Sequence, residues 1–291
     1  MSDARMTASH VHHHHADDPP PLPPKRRRSF AFDMDGVLYR EGELIDGAIE
    51  AVTSIRALNL PIFFVTNNSR ETPEQIAIKL QQLGVDAGPD EIVSAVVATV
   101  EYLRNLSVKP EPVLVIGADE LADQIADAGF RVASFDDNDQ IDLVVAGVDF
   151  NLTYPRLTRA VQALVNDGAE YVAVNQDPLY PTVTGLSPGA GAITAALTAS
   201  SGVVPTVVGK PSPHLFNVVL ERSQTSAQDL VVIGDMLQSD IAGATNIGAT
   251  AILVLTGTTS RAEAEAATGN LRPHIIIDSL WDLPLDQLLS S

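Results

Sequence analysis

Phe30-Ala31-Phe32-Asp33-Met34-Asp35-Gly36-Val37-Leu38 runs from an apolar strand into two carboxylates spaced by one residue, then into a glycine that turns the chain. In open α/β sheets, ligands bind beyond the carboxyl ends of strands. A spacing of two can bring both carboxylates near one reaction centre. Acids at the end of a buried strand are costly unless something compensates them, and a divalent cation would. Taken alone, Asp-x-Asp-Gly also reads as a turn or as a calcium loop.

Outward from this stretch, short apolar runs recur with the character of buried parallel strands. They are Ile62 to Val65, Val113 to Ile116, Leu143 to Ala146, Tyr171 to Val174, Leu230 to Ile233, Ala251 to Leu255 and Ile275 to Ile277. Helical patterns lie between them. Gly84-Val85, Gly129-Phe130, Gly202-Val203 and Gly248-Ala249 mark helix ends, where a left-handed glycine is followed by an apolar residue that packs back. Thr72-Pro73-Glu74-Gln75, and Ser260 with Glu263, mark capped helix starts. The alternation predicts an α/β fold, a Rossmann-like parallel sheet covered on both faces.

Two linker-like stretches, Ser107 to Pro112 and Ser200 to Pro205, bracket residues 108–204. This segment is long enough for a small inserted α/β domain, with residues 29–107 and 205–291 forming the parent core. Residues 1–28 carry His10, His12 to His15, a proline run and Lys25-Arg26-Arg27-Arg28, without helix or strand period. They read as a disordered tail.

Three further strand ends carry polar chemistry. Thr66-Asn67-Asn68-Ser69 offers hydroxyl, amide and backbone N–H groups ahead of a capped helix, a set suited to an anion. Gly209-Lys210-Pro211 places a lysine in a rigid turn, and Gly234-Asp235 is followed by Asp240. Each signal is weak alone. In order, a carboxylate pair, a hydroxyl/amide cluster, a lysine and a second carboxylate pair suit a phosphoryl group beside Mg²⁺.

Composition narrows the class. The net charge is −19, and removing the five basic and three acidic residues of the tail leaves 13 basic against 34 acidic side chains, a net of −21. Such a body repels nucleic acid and anionic membranes. There is no cysteine, which excludes disulfides, a Cys nucleophile and thiolate metal sites. The longest uncharged stretch, Pro178 to Gly209, holds four prolines and five glycines, so it does not read as a membrane span. The N-terminus lacks an apolar signal region. A cytoplasmic protein is expected.

On these four motifs, and on Asn175-Gln176-Asp177-Pro178 with Pro188-Gly189-Ala190-Gly191-Ala192, the sequence resembles the haloacid dehalogenase superfamily of phosphatases. It is most similar to the NagD-like and p-nitrophenyl-phosphatase-like branch, whose core carries a large α/β cap. The resemblance covers residues 29–291 and departs only in Ser239, where threonine is common. It implies that Asp33 is a nucleophile forming an aspartyl-phosphate, and that Asp35 is the general acid and base. It implies Mg²⁺ held by Asp33, the Asp35 backbone carbonyl and Asp235, with Asp240 supporting the site from behind. Thr66 and Asn67 would bind phosphoryl oxygens, Lys210 would neutralise charge, and Asn68 would shape the loop or touch substrate. Asn175, Asp177 and Tyr180 would approach the substrate from the cap, Tyr180 as the specificity residue.

The expected substrate is a small phosphorylated metabolite, and caps of this kind imply a homodimer. The same motifs also suit a phosphotransferase or phosphomutase. A non-catalytic phosphate-ester-binding module would not need Asp35.

Overall fold

The computed structural model describes residues 28–182 and 185–290. The tail expected over residues 1–28 lies outside them except for Arg28, which is buried directly ahead of the first strand. The strands in chain order are β1 (Ser29–Asp33), β2 (Tyr39–Arg40), β3 (Glu43–Leu44), β4 (Ile62–Thr66) and β5 (Ile92–Ser94). Then come β6 (Val113–Ile116), β7 (Leu143–Ala146), β8 (Glu170–Ala173), β9 (Leu179–Thr182), β10 (Gly185–Pro188) and β11 (Thr206–Val207). The chain ends with β12 (Leu230–Gly234), β13 (Thr250–Val254) and β14 (Ile275–Ile277).

The larger sheet has the order β14-β13-β12-β1-β4-β5, and every pairing in it is parallel. Side chains alternate between its faces. Phe30, Phe32, Phe64, Val231 and Ile233 enter one apolar layer, with Ile55 and Leu80 from helices. Ala31, Phe63, Val65, Leu230 and Val232 enter the other, with Leu215 and Phe216. Both faces are therefore dry, which is why these strands read as unbroken apolar runs.

A second parallel sheet has the order β11-β8-β7-β6. Its residues Val113, Val115, Leu143, Val145 and Val172 share the second apolar layer with the larger sheet. Its other face, with Leu114, Ile116, Val144 and Tyr171, closes over Leu164 and Leu197. β11 pairs with β8, so the chain leaves the smaller sheet only after Val207, slightly beyond the boundary expected at 204. A two-residue strand carries too little pattern to be read in advance. β9 and β10 form an antiparallel pair of their own.

The local signals behave as their chemistry requires. Thr72 accepts from Gln75 N–H, and the Gln75 side chain accepts from Thr72 N–H, closing a capping box on the helix Pro73–Gln82. Gly84 and Gly129 both sit at φ +91°, the left-handed region, at helix ends. Among the described residues no helix is long and apolar enough to cross a membrane.

Candidate active site

β1 lies near the middle of the larger sheet, between β12 and β4. Parallel pairing brings the carboxyl ends of all three to one edge. Asp33 is the last residue of β1, Thr66 the last of β4, and Asp235 the first residue after β12. Lys210 arrives on the turn leaving β11, where Gly209 N–H donates to the Val174 carbonyl at 2.7 Å.

The Lys210 ammonium is buried and donates to Asp33 Oδ1 at 2.5 Å and to Asp240 Oδ1 at 2.6 Å. One carboxylate oxygen from each of Asp33, Asp235 and Asp240 lies within 4.8 Å of the others. Asp240 also accepts from Met236 N–H at 3.2 Å. Asp235 Oδ2 accepts from Thr258 N–H at 2.8 Å and from the Thr258 hydroxyl at 3.1 Å.

Three buried carboxylates thus cluster around one ammonium, which pairs directly with two of them, Asp33 and Asp240. Burial raises the Asp33 carboxyl pKa well above its ordinary value, Lys210 offsets part of the rise, and Asp240 and Asp235 add to it. Burial also raises Asp235, with Asp240 adding to the effect. At Lys210, burial works against the charged form, but Asp240 and Asp33 outweigh it and raise the pKa. All three shifts run upward, so each of these groups holds its proton more firmly than it would when freely solvated. A site with this excess of negative charge and hard oxygen donors fits a divalent cation.

Asp35 is exposed, unlike Asp33, although the protein crowded around it raises its pKa against the pull of Lys79 and a hydrogen bond from Tyr39. The Tyr39 hydroxyl donates to Asp35 Oδ2 at 3.3 Å, and Lys79 Nζ donates to the same hydroxyl oxygen at 3.3 Å.

The second motif has a division of labour that residue type alone does not reveal. Asn67 Nδ2 donates to Asp177 Oδ1 at 3.2 Å and to the Lys210 carbonyl at 3.1 Å, and its Oδ1 accepts from Lys210 N–H at 2.8 Å. Asn175 Nδ2 donates to the Asn67 carbonyl at 2.6 Å. The Asn67 side chain is therefore fully committed to joining three segments. Asn68 Oδ1 accepts from Arg70 and Glu71 N–H, and its Nδ2 donates to Glu71, which shapes the loop. Thr66 Oγ1 accepts from Asn68 N–H at 3.1 Å, which leaves its hydroxyl proton for another acceptor.

The structure thus brings together Asp33, Asp235, Asp240 and Lys210, joins Asn67, Asn175 and Asp177 to the Lys210 turn, and connects Asp35 to Tyr39 and Lys79. Tyr180 has its ring contacts with Phe150 and Arg70.

Sequence reasoning missed Thr258 and Gly257. A Cβ on Gly257 would sit 2.0 Å from Asp235 Oδ2. Their only signal is position, just beyond the carboxyl end of β13. Gly257→Ala is expected to push the Asp235 carboxylate aside and weaken binding of a divalent cation. The cation concentration for half-maximal binding should rise by about 10–100-fold, as when a ligand's supporting group is lost. An unchanged metal titration would show that Asp235 does not need this cradle.

Residues 30–131 match the haloacid dehalogenase-like hydrolase family, and residues 207–283 match the HAD-hydrolase-like family. The chain is 34% identical over 238 residues to an acid sugar phosphatase of Staphylococcus saprophyticus, covering 82% of this chain and 90% of the relative. It superposes with TM-score 0.80 and 32% identity on the glycerol phosphate phosphatase of Mycobacterium tuberculosis crystallised with magnesium, covering 89% of this chain and 76% of that one. It also superposes on NagD of Escherichia coli, with TM-score 0.80, 27% identity and coverage of 88% and 98%.

Proposed function

The chain belongs to the haloacid dehalogenase-like hydrolases, in their NagD-like branch of phosphatases, and on that premise we propose that it hydrolyses a small phosphate monoester through an aspartyl-phosphate on Asp33, with Mg²⁺ as its metal. The observation that carries this reading is the Lys210 ammonium held between Asp33 and Asp240, with the Asp235 carboxylate in the same cluster.

Asp33 attacks phosphorus in line, forming an O–P bond as the ester P–O bond breaks. The leaving oxygen takes the Asp35 proton, and the raised pKa of that carboxyl suits a proton donor. Water then attacks phosphorus and gives its proton to Asp35. The Asp33–phosphorus bond breaks and inorganic phosphate departs. Lys210 stabilises charge on Asp33 and on the phosphoryl group. The Thr66 hydroxyl and the backbone N–H of Asn67 bind phosphoryl oxygens, since the Asn67 side chain is already committed. When bound, Mg²⁺ would neutralise excess carboxylate charge and polarise the phosphoryl group, held by Asp33, Asp235 and the Asp35 carbonyl.

The substrates in the relatives' names, sugar phosphate and glycerol phosphate, favour a small metabolite ester over a phosphoprotein. A homodimer through the inserted domain and a cytoplasmic location belong to the same reading. The test is phosphate release from a panel of such esters with Mg²⁺ and with EDTA. Release is expected with the metal and not with EDTA. Full activity in EDTA would sink the mechanism.

A further inference from the structure

Arg70 lies three residues beyond Asn67 in the same loop. Its guanidinium carbon sits 4.5 Å from the centre of the Phe150 ring and 5.9 Å from that of Tyr180. The two rings meet edge to face with centres 5.6 Å apart. Phe150 is half exposed, at 50%, so it is not a core residue that Arg70 happens to touch. Its loop is firmly built: the neighbouring Asp149 is buried, accepts from Asn151 N–H at 2.7 Å and pairs with Arg156 at 3.1 Å.

Arg70 has no acidic partner among the described residues, and its Nε is buried without a hydrogen bond. The adjacent Glu71 instead engages Asn68 Nδ2 through Oε2 at 2.6 Å and forms no ion pair with Arg70. In a chain of net charge −19, a half-buried arginine that forms no ion pair among the described residues is a poised anion receptor. Aromatic faces hold the plane of a guanidinium while leaving its N–H edge open.

The location links this group to the site. The Asn67–Asp177 hydrogen bond joins the loop 66–70 to the segment 175–180. Arg70 and Tyr180 each lie three residues beyond that joint. The phosphoryl end of a substrate engages Thr66, Asn67 and Lys210, and Arg70 is the next cation along the same loop.

We propose that Arg70, seated on Phe150 and Tyr180, selects substrates by binding a second anionic group, a carboxylate or a phosphate, at the non-reacting end of the phosphate monoester. The proposal rests on the phosphatase reading above and adds the charge of the substrate's far end. Arg70 takes part in recognition and in no bond-making step.

The test uses matched pairs. 2-Phosphoglycolate is compared with 2-hydroxyethyl phosphate, and 1,3-propanediol bisphosphate with 3-hydroxypropyl phosphate, for the full chain and for Arg70→Gln and Arg70→Lys. The full chain should prefer one anionic member over its neutral counterpart in kcat/KM by about tenfold or more, as charge-assisted hydrogen bonds allow. The effect should fall mainly on KM. That ratio should collapse toward one in Arg70→Gln and be intermediate in Arg70→Lys, which keeps charge but loses the fork. Preference for phosphoglycolate identifies a carboxylate, and preference for the bisphosphate identifies a phosphate. Phe150→Leu should lower the same ratio by loosening the platform.

A ratio near one in the full chain, or a preference that Arg70→Gln leaves unchanged, overturns the proposal. If no ester is hydrolysed, calorimetric binding of the same pairs still decides it. Anion-selective binding lost in Arg70→Gln would keep the receptor while the hydrolysis reading fails, and equal binding would remove both.

Discussion

Asp33→Asn is expected to lower kcat by about four or more orders of magnitude, as removal of a covalent nucleophile does. The substitution is nearly isosteric. Lys210 keeps Asp240 as an ion-pair partner at 2.6 Å, and the amide oxygen can still accept from its ammonium. The loss should therefore appear in turnover with the fold intact. The measurement is phosphate release on the best ester of the panel, beside a thermal melt. Residual activity within about tenfold of the unchanged protein would remove Asp33 from the nucleophile role.

Lys210→Met should act on stability as well as on chemistry. Methionine fills much of the lysine stem's volume but leaves Asp33 and Asp240 without their ion-pair partner, beside the Asp235 carboxylate. Breaking a buried ion pair from one side costs about 3–5 kcal/mol. Protonation of the carboxyls relieves part of that cost. Loss of Lys210 removes the main influence that holds the Asp33 pKa down, so the folded variant binds more protons than its unfolded chain. Stability must then fall as pH rises above the ordinary carboxyl value of 3.8 toward the raised folded-state values. Melts in EDTA should show a small deficit near pH 5 and a larger one at pH 8, with activity lost throughout. A variant as stable as the parent at pH 8 would mean that the carboxylates find another partner.

The parts of the fold that could be read in advance are those whose signal is local. β1, β4, β6 and β7 are buried on both faces and show as apolar runs. Thr72 and Ser260 announce helices because a capping box needs only four residues. β5 was hidden because Ile92–Ser94 is three residues long and runs straight into the helix Ala95–Arg104. β9 and β10 were hidden by Pro181, Gly185 and Pro188, which read as turn residues yet here belong to an antiparallel pair.

The candidate site divides the same way. Asp33, Asp35 and Asp235 declare themselves at strand ends. Asp240 follows Asp235 by five residues, and Lys210 beside it at 2.6 Å ties it to the cluster. Asn67 looks like a ligand-facing amide, and only its three partners reveal it as a joint between segments. Thr258 is tied to Asp235 across 23 positions by no pattern at all.

The sheet order has a temporal consequence. On one side β1 pairs with β4, Phe30 against Ile62, soon after both are synthesised. On the other side its partner is β12, Ser29 against Leu230, and the chain must first complete the whole smaller sheet. Closing so long a loop is entropically costly, and pairings this remote form late. Asp235 and Asp240 arrive with that remote pairing. A nascent or truncated chain that stops before β12 carries Asp33 without the rest of its carboxylate cluster. Acquisition of a divalent cation would therefore report the joining of β1 to β12 and time that step in a refolding experiment.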